Sequence, residues 1–297
     1  MRIGLIIRCA LIAGWLGLFG WHVVRHAAPT LGLVERHDLG AVLSVQLDRV
    51  LTYRLRQNRD SRRSLGECTV WFSRDDTRFR IDHRLILGDL GVLIPGAGGG
   101  RAHPVVAGRD IDLALDLIYD DRFRLVEVEG HATLLRPMAI DVTFSGTVDH
   151  RGLDLGYDLG DDGGEQRILI ADIGRDSGHA AFLVPTLPPG LEVGDRHGVP
   201  LIDPQRLIAS GGASARSRGV MRAVVREDVA TAAGPLRLLR VVFEVDGKHQ
   251  STAWCDAEGT VYRATIEALP IVAELTGIRV HGADAIWPPA ATPGAAP

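Results

Sequence analysis

The most constraining feature of this 297-residue chain is an alternation of apolar and polar residues with a period of two, repeated in many short runs. In "RFRIDH" (Arg78 to His83), Phe79 and Ile81 fall on one side of an extended chain, and Arg78, Arg80 and Asp82 on the other. "IDLALDLI" sets Ile111, Leu113, Leu115 and Leu117 against Asp112, Ala114, Asp116 and Ile118. "RLVEVEG", "AIDVTFSGTV", "LDLGYDLG" and "RLLRVVFEVDG" repeat the period. Successive side chains of a strand point to opposite faces, so such runs suit an antiparallel sheet with one wet face. Several joins carry residues that tolerate positive φ: "VDHRG" (Val148 to Gly152), "GDDGGE" (Gly160 to Glu165), "VDGK" (Val245 to Lys248) and "DAEG" (Asp256 to Gly259). No long amphipathic helix interrupts these runs, which disfavours an α/β fold with crossover helices. The expectation is a mainly β domain over residues 50–280. Its antiparallel curved sheet is of barrel or half-barrel type, with a two-sheet β-sandwich as the alternative.

The first residues differ in character. From Ile3 to Val24 the chain is apolar apart from Arg8. At about 1.5 Å rise per residue this run forms a helix of roughly 33 Å, enough to cross a bilayer core. Residues 1–26 are therefore expected to be a transmembrane anchor. Arg2 and Arg8 lie toward the N-terminal side, so the positive-inside rule places the remaining chain outside the cytoplasm. The expected location is the inner membrane, single-pass, with a periplasmic C-terminal domain. A cleaved signal peptide is the competing reading, but the small residues Ala27 and Ala28 sit between His26 and Pro29, a poor cleavage site. A buried soluble helix is the third. Residues 27–49 form a juxtamembrane linker, in which "LGAVLSVQLDRVL" reads as a short helix or as the first strand. Residues 281–297, rich in Pro and Ala, read as an extended tail.

Charge and motif content exclude more than they nominate. With 33 basic against 37 acidic residues, the net charge is -4 and nothing suggests a nucleic-acid partner. The eleven His form neither His-x-His nor His-Glu-x-x-His, and the three Cys lack Cys-x-x-Cys spacing, so neither a metal site nor a cofactor is expected. "PGAGGGRAHP" lacks the Lys-Ser/Thr ending of a phosphate loop, and no Gly-x-Ser-x-Gly elbow occurs. No catalytic residue is nominated. Cys255 stands in "TAWCDAEG" beside Asp256, whose charge opposes thiolate formation. Cys68 and Cys255 are the cysteines outside the apolar N-terminal run, and they read either as a disulfide pair or as two buried thiols. "LPPGLEVGDRHGVPLIDP" (Leu187 to Pro204) is stiffened by prolines and bent by glycines. It reads as a rigid connection across a barrel end, or as a ligand lip presenting Asp195, His197 and Asp203.

Two stretches taken together resemble a known family. They are "VPTLPPGLEVGDRHGVPLIDPQRL" (Val184 to Leu207) and "TAWCDAEGTVYRATIEALPIVAEL" (Thr252 to Leu275). They are similar to an exported β-rich domain of unknown function found in bacterial envelope proteins, some of which also carry a transglutaminase-like domain. Leu187, Pro189, Gly190, Gly194, Asp195, Asp203 and Pro204 match its Leu-Pro-x-Gly and Asp-Pro signature, and Trp254, Asp256 and Gly259 its hairpin. "FSRDDTRFRIDHRLILGDLGVLIPG" (Phe72 to Gly96) fits more loosely. The resemblance implies a β architecture and an accessory role rather than an activity. The expected function is a membrane-anchored binding or accessory module that holds a lipid, a glycan or a segment of an envelope protein. The alternative is an envelope hydrolase or transferase whose acid and base meet only in the fold.

Overall fold

The computed structural model describes residues 35–36, 38–57, 60–88, 110–134, 140–158, 165–170, 184–202, 216–245, 247–267, 271–280 and 285–287. The expected anchor, residues 1–26, and the glycine-rich loop after Asp89 lie outside them. No helix of the described residues is long and apolar enough to cross a membrane.

The first elements are β1 (Glu35–Arg36) and α1 (Leu39–Gln46). A first meander follows: β2 (Arg49–Gln57), β3 (Asp60–Asp75), β4 (Arg78–Leu87), β5 (Ile111–Tyr119), β6 (Leu125–Leu134), β7 (Ile140–Val148), β8 (Leu153–Asp158) and β9 (Glu165–Ile170). A second comprises β10 (Arg196–Ile202), β11 (Arg216–Thr231), β12 (Gly234–Val245), β13 (Lys248–Cys255), β14 (Val261–Ile266) and β15 (Ile271–Val280), with β16 (Ala285–Trp287) against β15. Within each meander every strand pairs antiparallel with its successor. β15 pairs antiparallel with β2, with Leu275 opposite Tyr53, so both meanders form one mainly antiparallel sheet. β1 adds to β10 in parallel. The ends of the sheet are β1 and β9, and no strand pairing among the described residues joins them. The sheet is therefore curved but unclosed. Register shifts at Ala223/Val225, Trp254/Cys255, Leu275/Gly277 and Leu55/Arg56 contribute to the curvature, since a bulge bends its strand and raises the local twist.

The alternation read from the sequence sorts side chains as expected. Phe79 and Ile81 are buried, while Arg78 is exposed. Ile118 departs from its polar-side assignment in accessibility: it is buried between Arg80 and Glu127, its partners in register. The long stems of those residues can cover an apolar side chain while their charges stay wet. "LGAVLSVQLDRVL" divides at Leu47, with α1 before it and β2 beginning at Arg49. An isolated eight-residue helix is marginal in water, so α1 depends on burying Leu39, Val42 and Leu43. Full burial of side chains of this size stabilises by about 1.5–3 kcal/mol each. Asp38 caps the helix, accepting from Ala41 N at 3.3 Å.

One inner row is built from small residues. Ala223, Val241, Ala253, Ala264 and Ala273 lie in register across β11 to β15, each at most 3% exposed, and the row continues through Leu55 to Gly66.

Candidate functional site

The inner face offers a capped end and an open end. At the capped end, α1 and the segment from Val184 to Leu187 lie over Leu51, Tyr53, Val70 and Phe72. The β13–β14 turn supports both. Asp256 Oδ1 accepts from Glu258 N and Thr260 N, each at 2.9 Å. Gly190 N donates to Ala257 O at 2.8 Å. Gly259 has φ +79°, and a Cβ there would sit 2.3 Å from the Leu187 carbonyl oxygen, so the two chains meet at a position where a side chain does not fit. Gln46 Nε2 donates to Thr260 Oγ1 at 3.2 Å and to Glu258 O at 3.3 Å. Arg49 pairs with Glu258 at 2.9 Å. Burial raises the Asp256 carboxyl despite its backbone donors. Burial, then the charge of Asp256, pushes the Tyr262 hydroxyl up to about 12, so it stays a donor toward that carboxylate. Tyr53 is raised well above the usual phenol range by burial and by nearby Cys68, Asp256 and Tyr262.

The open end lies on β5 to β9. Leu113, Leu115, Phe144, Leu155 and Ile168 belong to the inner face by register but are only half-buried. By contrast Leu55 on β2 and Leu239 and Val241 on β12 are 0% exposed. The two ends connect through one cross-strand row, Leu51, Val70, His83, Leu115, Gly130 and Phe144. Burial holds the His83 imidazole down to about 4, so it is neutral on this apolar track.

The outer face carries a carboxylate cluster. Asp82, Asp116 and Glu129 stand opposite one another on β4, β5 and β6. Arg80 reaches all three, at 3.6 Å, 3.5 Å and 3.3 Å. Burial, then a hydrogen bond and charge repulsion from Asp116, raise Asp82 to about 7 against the opposing pull of Arg80 and Ser73. A hydrogen bond between two carboxyl groups needs a shared proton, which the raised affinity of Asp82 supplies. The cluster lies on an open strand surface, not in a cleft. Among the described residues no group of His, Cys, Asp and Glu is arranged to hold a metal ion.

The residues singled out from sequence fall as follows. Asp195 is committed to its own turn: Oδ2 accepts from Glu192 N at 2.8 Å, and its backbone oxygen accepts from Ala223 N at 3.0 Å. His197 is buried beside Met221 on the inner face, with Nδ1 lacking a hydrogen-bond partner. Asp195 is thus held in a turn and His197 within the inner face, and Asp203 lies outside the described residues. Cys68 and Cys255 are free thiols, both buried on the inner face. They are four strands apart, roughly 19 Å along the sheet at about 4.8 Å per strand. A disulfide is accordingly not formed. Burial, then Glu67 for Cys68 and Asp256 for Cys255, pushes each thiol up to about 12, so neither is a nucleophile at neutral pH.

Sequence reasoning passed over Gln46, Tyr53 and the Asp82–Asp116 pair. Gln46 had a signal, because it continues the helical spacing of Leu39, Val42 and Leu43 and so places a polar group in an apolar stripe. The Asp pair had none, since only the strand register makes Asp82 and Asp116 neighbours.

No known protein family matches the sequence, and no curated protein matches it. Among solved structures, the chain is similar to a β-barrel-like protein of the domain-of-unknown-function family DUF1849 from Brucella abortus. That likeness has a TM-score of 0.44 and 8% identity, and covers 79% of this chain and 98% of the other. A DUF1089 family protein from Pseudomonas aeruginosa is similar at a TM-score of 0.33 and 13% identity, over 66% of this chain and 87% of that one.

Proposed function

We propose that the chain is a membrane-anchored extracytoplasmic binding module whose inner face holds the acyl chain of a lipid. The observation that carries this reading is the half-buried state of Leu113, Leu115, Phe144, Leu155 and Ile168 on the inner wall. Contiguous apolar surface of this kind, in a concave sheet, is the ordinary lining of a small-molecule site. The apolar run from Ile3 to Val24 supplies the anchor and sets the domain beside the lipid source. Solvent extraction of the full-length protein and mass spectrometry test the ligand. A co-purifying lipid is expected, and Leu115→Arg should reduce its yield several-fold with little change in melting temperature. Unchanged lipid in that variant counts against the site. Fractionation of a C-terminally tagged protein tests the anchor: the tag should stay with the membrane and be open to protease from the periplasmic side.

The Asp82–Asp116 pair supports a second reading, an envelope hydrolase or transferase, because the Asp82 carboxyl, raised to about 7, stands beside a second carboxyl. Its place on the outer strand surface rather than in a closed cleft favours the binding module. Retention of cellular function by Asp82→Asn is the expected result.

A further inference from the structure

We propose that the cavity beneath α1 is a binding site for a single water molecule that joins Gln46 of the helix to Tyr53 of β2. The cavity is walled by Val42, Gln46, Tyr53, Phe72, Thr186 and Gly259, among others. It offers about 10 Å³ to the centre of a water-sized sphere. That is the room of about one water. Two residues of its walls each carry a buried polar atom without a hydrogen-bond partner, Gln46 Oε1 and Tyr53 Oη. Gln46 is 3% exposed and Tyr53 0%, so bulk solvent does not serve them.

The orientation of the amide is fixed by chemistry. Gln46 Nε2 faces Glu258 O, which can only accept, so the nitrogen belongs there and the oxygen is the free atom. An amide oxygen only accepts, whereas a phenol donates and accepts. Tyr53 remains protonated, since burial raises it well above the usual phenol range. A water donating to Gln46 Oε1 and accepting from the Tyr53 hydroxyl satisfies both and keeps one hydrogen for a further acceptor on the wall. A neutral occupant fits better than a cation, because no carboxylate lines the cavity. The water would seat α1 on the sheet at its last turn, where Gln46 already reaches Thr260 and Glu258.

A crystal structure of the full-length protein and a double-mutant cycle in thermal unfolding test this together. A water within about 3.2 Å of both atoms is expected. Tyr53→Phe and Gln46→Met should each lower the melting temperature. The double variant should lose less than the sum, because either change alone removes the bridge. Gln46→Met also loses the Nε2 bonds, but that loss is the same with Tyr or Phe at position 53 and cancels from the coupling. A dry cavity, a direct contact between Tyr53 and Gln46, or additive melting shifts would overturn the proposal.

Discussion

Asp82 and His83 are adjacent in β4, face opposite sides of the sheet, and bind protons with opposite bias. The folded state raises Asp82 from 3.8 to about 7, so its contribution to stability is complete below about pH 4 and is lost as pH rises through 7. It lowers His83 from 6.5 to about 4, so that contribution is present above 6.5 and is lost as pH falls toward 4. Between about pH 4 and 6.5 the two oppose each other; above that only Asp82 still titrates. The wild-type melting temperature should therefore change little from pH 4.5 to 6.5 and fall toward pH 8, as read by a pH series of thermal melts. Asp82→Asn should remove the fall toward pH 8 and expose a loss of stability on acidification. His83→Leu should show stability falling steadily from pH 4.5 to 7.5. The facing directions of these two residues were legible from alternation alone. The titration was not, because it depends on how deeply the fold buries each group and, for Asp82, also on Asp116, which register brings opposite it. The cysteines give a second residue-scale expectation: Cys68 and Cys255, buried and unbridged, should resist a thiol reagent in the native protein and both react on denaturation. Failure of both to react in denaturant without reductant would indicate a bridge.

At the scale of elements, the hairpins β3–β4 and β13–β14 show how similar strings give different sites. Thr69, Trp71, Phe79 and Arg80 match Thr252, Trp254, Tyr262 and Arg263 in offset. Both Trp face outward, but Trp71 stands opposite Asp82 and Trp254 opposite Arg263, which stacks over its ring at 5.4 Å. The register shift at Trp254/Cys255 separates the two hairpins, and turn composition alone does not specify it. Strands β4 to β8 and β12, and the turns at Val148 to Gly152 and Asp256 to Gly259, were readable because alternation and turn residues are local. The segment from Leu187 to Gly194 was readable as stiff, but its contact with the β13–β14 turn was not, because it joins distant parts of the chain. Gly259→Ala tests that contact. The strained φ alone costs about 1–3 kcal/mol, and the clash with the Leu187 carbonyl adds to it. Gly190→Ala, where a Cβ meets nothing within 4 Å at φ +76°, isolates the backbone term. Denaturant midpoints should fall much further for Gly259→Ala than for Gly190→Ala.

Across the whole molecule the two walls differ in kind. The row Ala223, Val241, Ala253, Ala264 and Ala273 on β11 to β15 is small and excludes solvent, whereas Leu113, Leu115, Phe144, Leu155 and Ile168 on β5 to β9 are larger and half-buried. Ala264→Leu should therefore cost about 1–3 kcal/mol by overpacking, and Leu115→Met, at a half-open site, should cost well under that in the same unfolding assay. The sheet as a class was legible in the sequence; its order was not, because nothing local says that the last long strand pairs with the first. That seam holds Thr276 Oγ1 to Thr52 O at 3.1 Å across 224 positions of sequence. During synthesis, then, one edge of β2 is a bare row of backbone donors and acceptors until β15 emerges. Such an edge pairs with any extended chain it meets, and pairing this distant in sequence is slow. A chain cut short before Ile271 should thus accumulate as aggregate rather than as a smaller folded domain, and its cell must keep the nascent β2 edge occupied or unfolded until the final strands arrive.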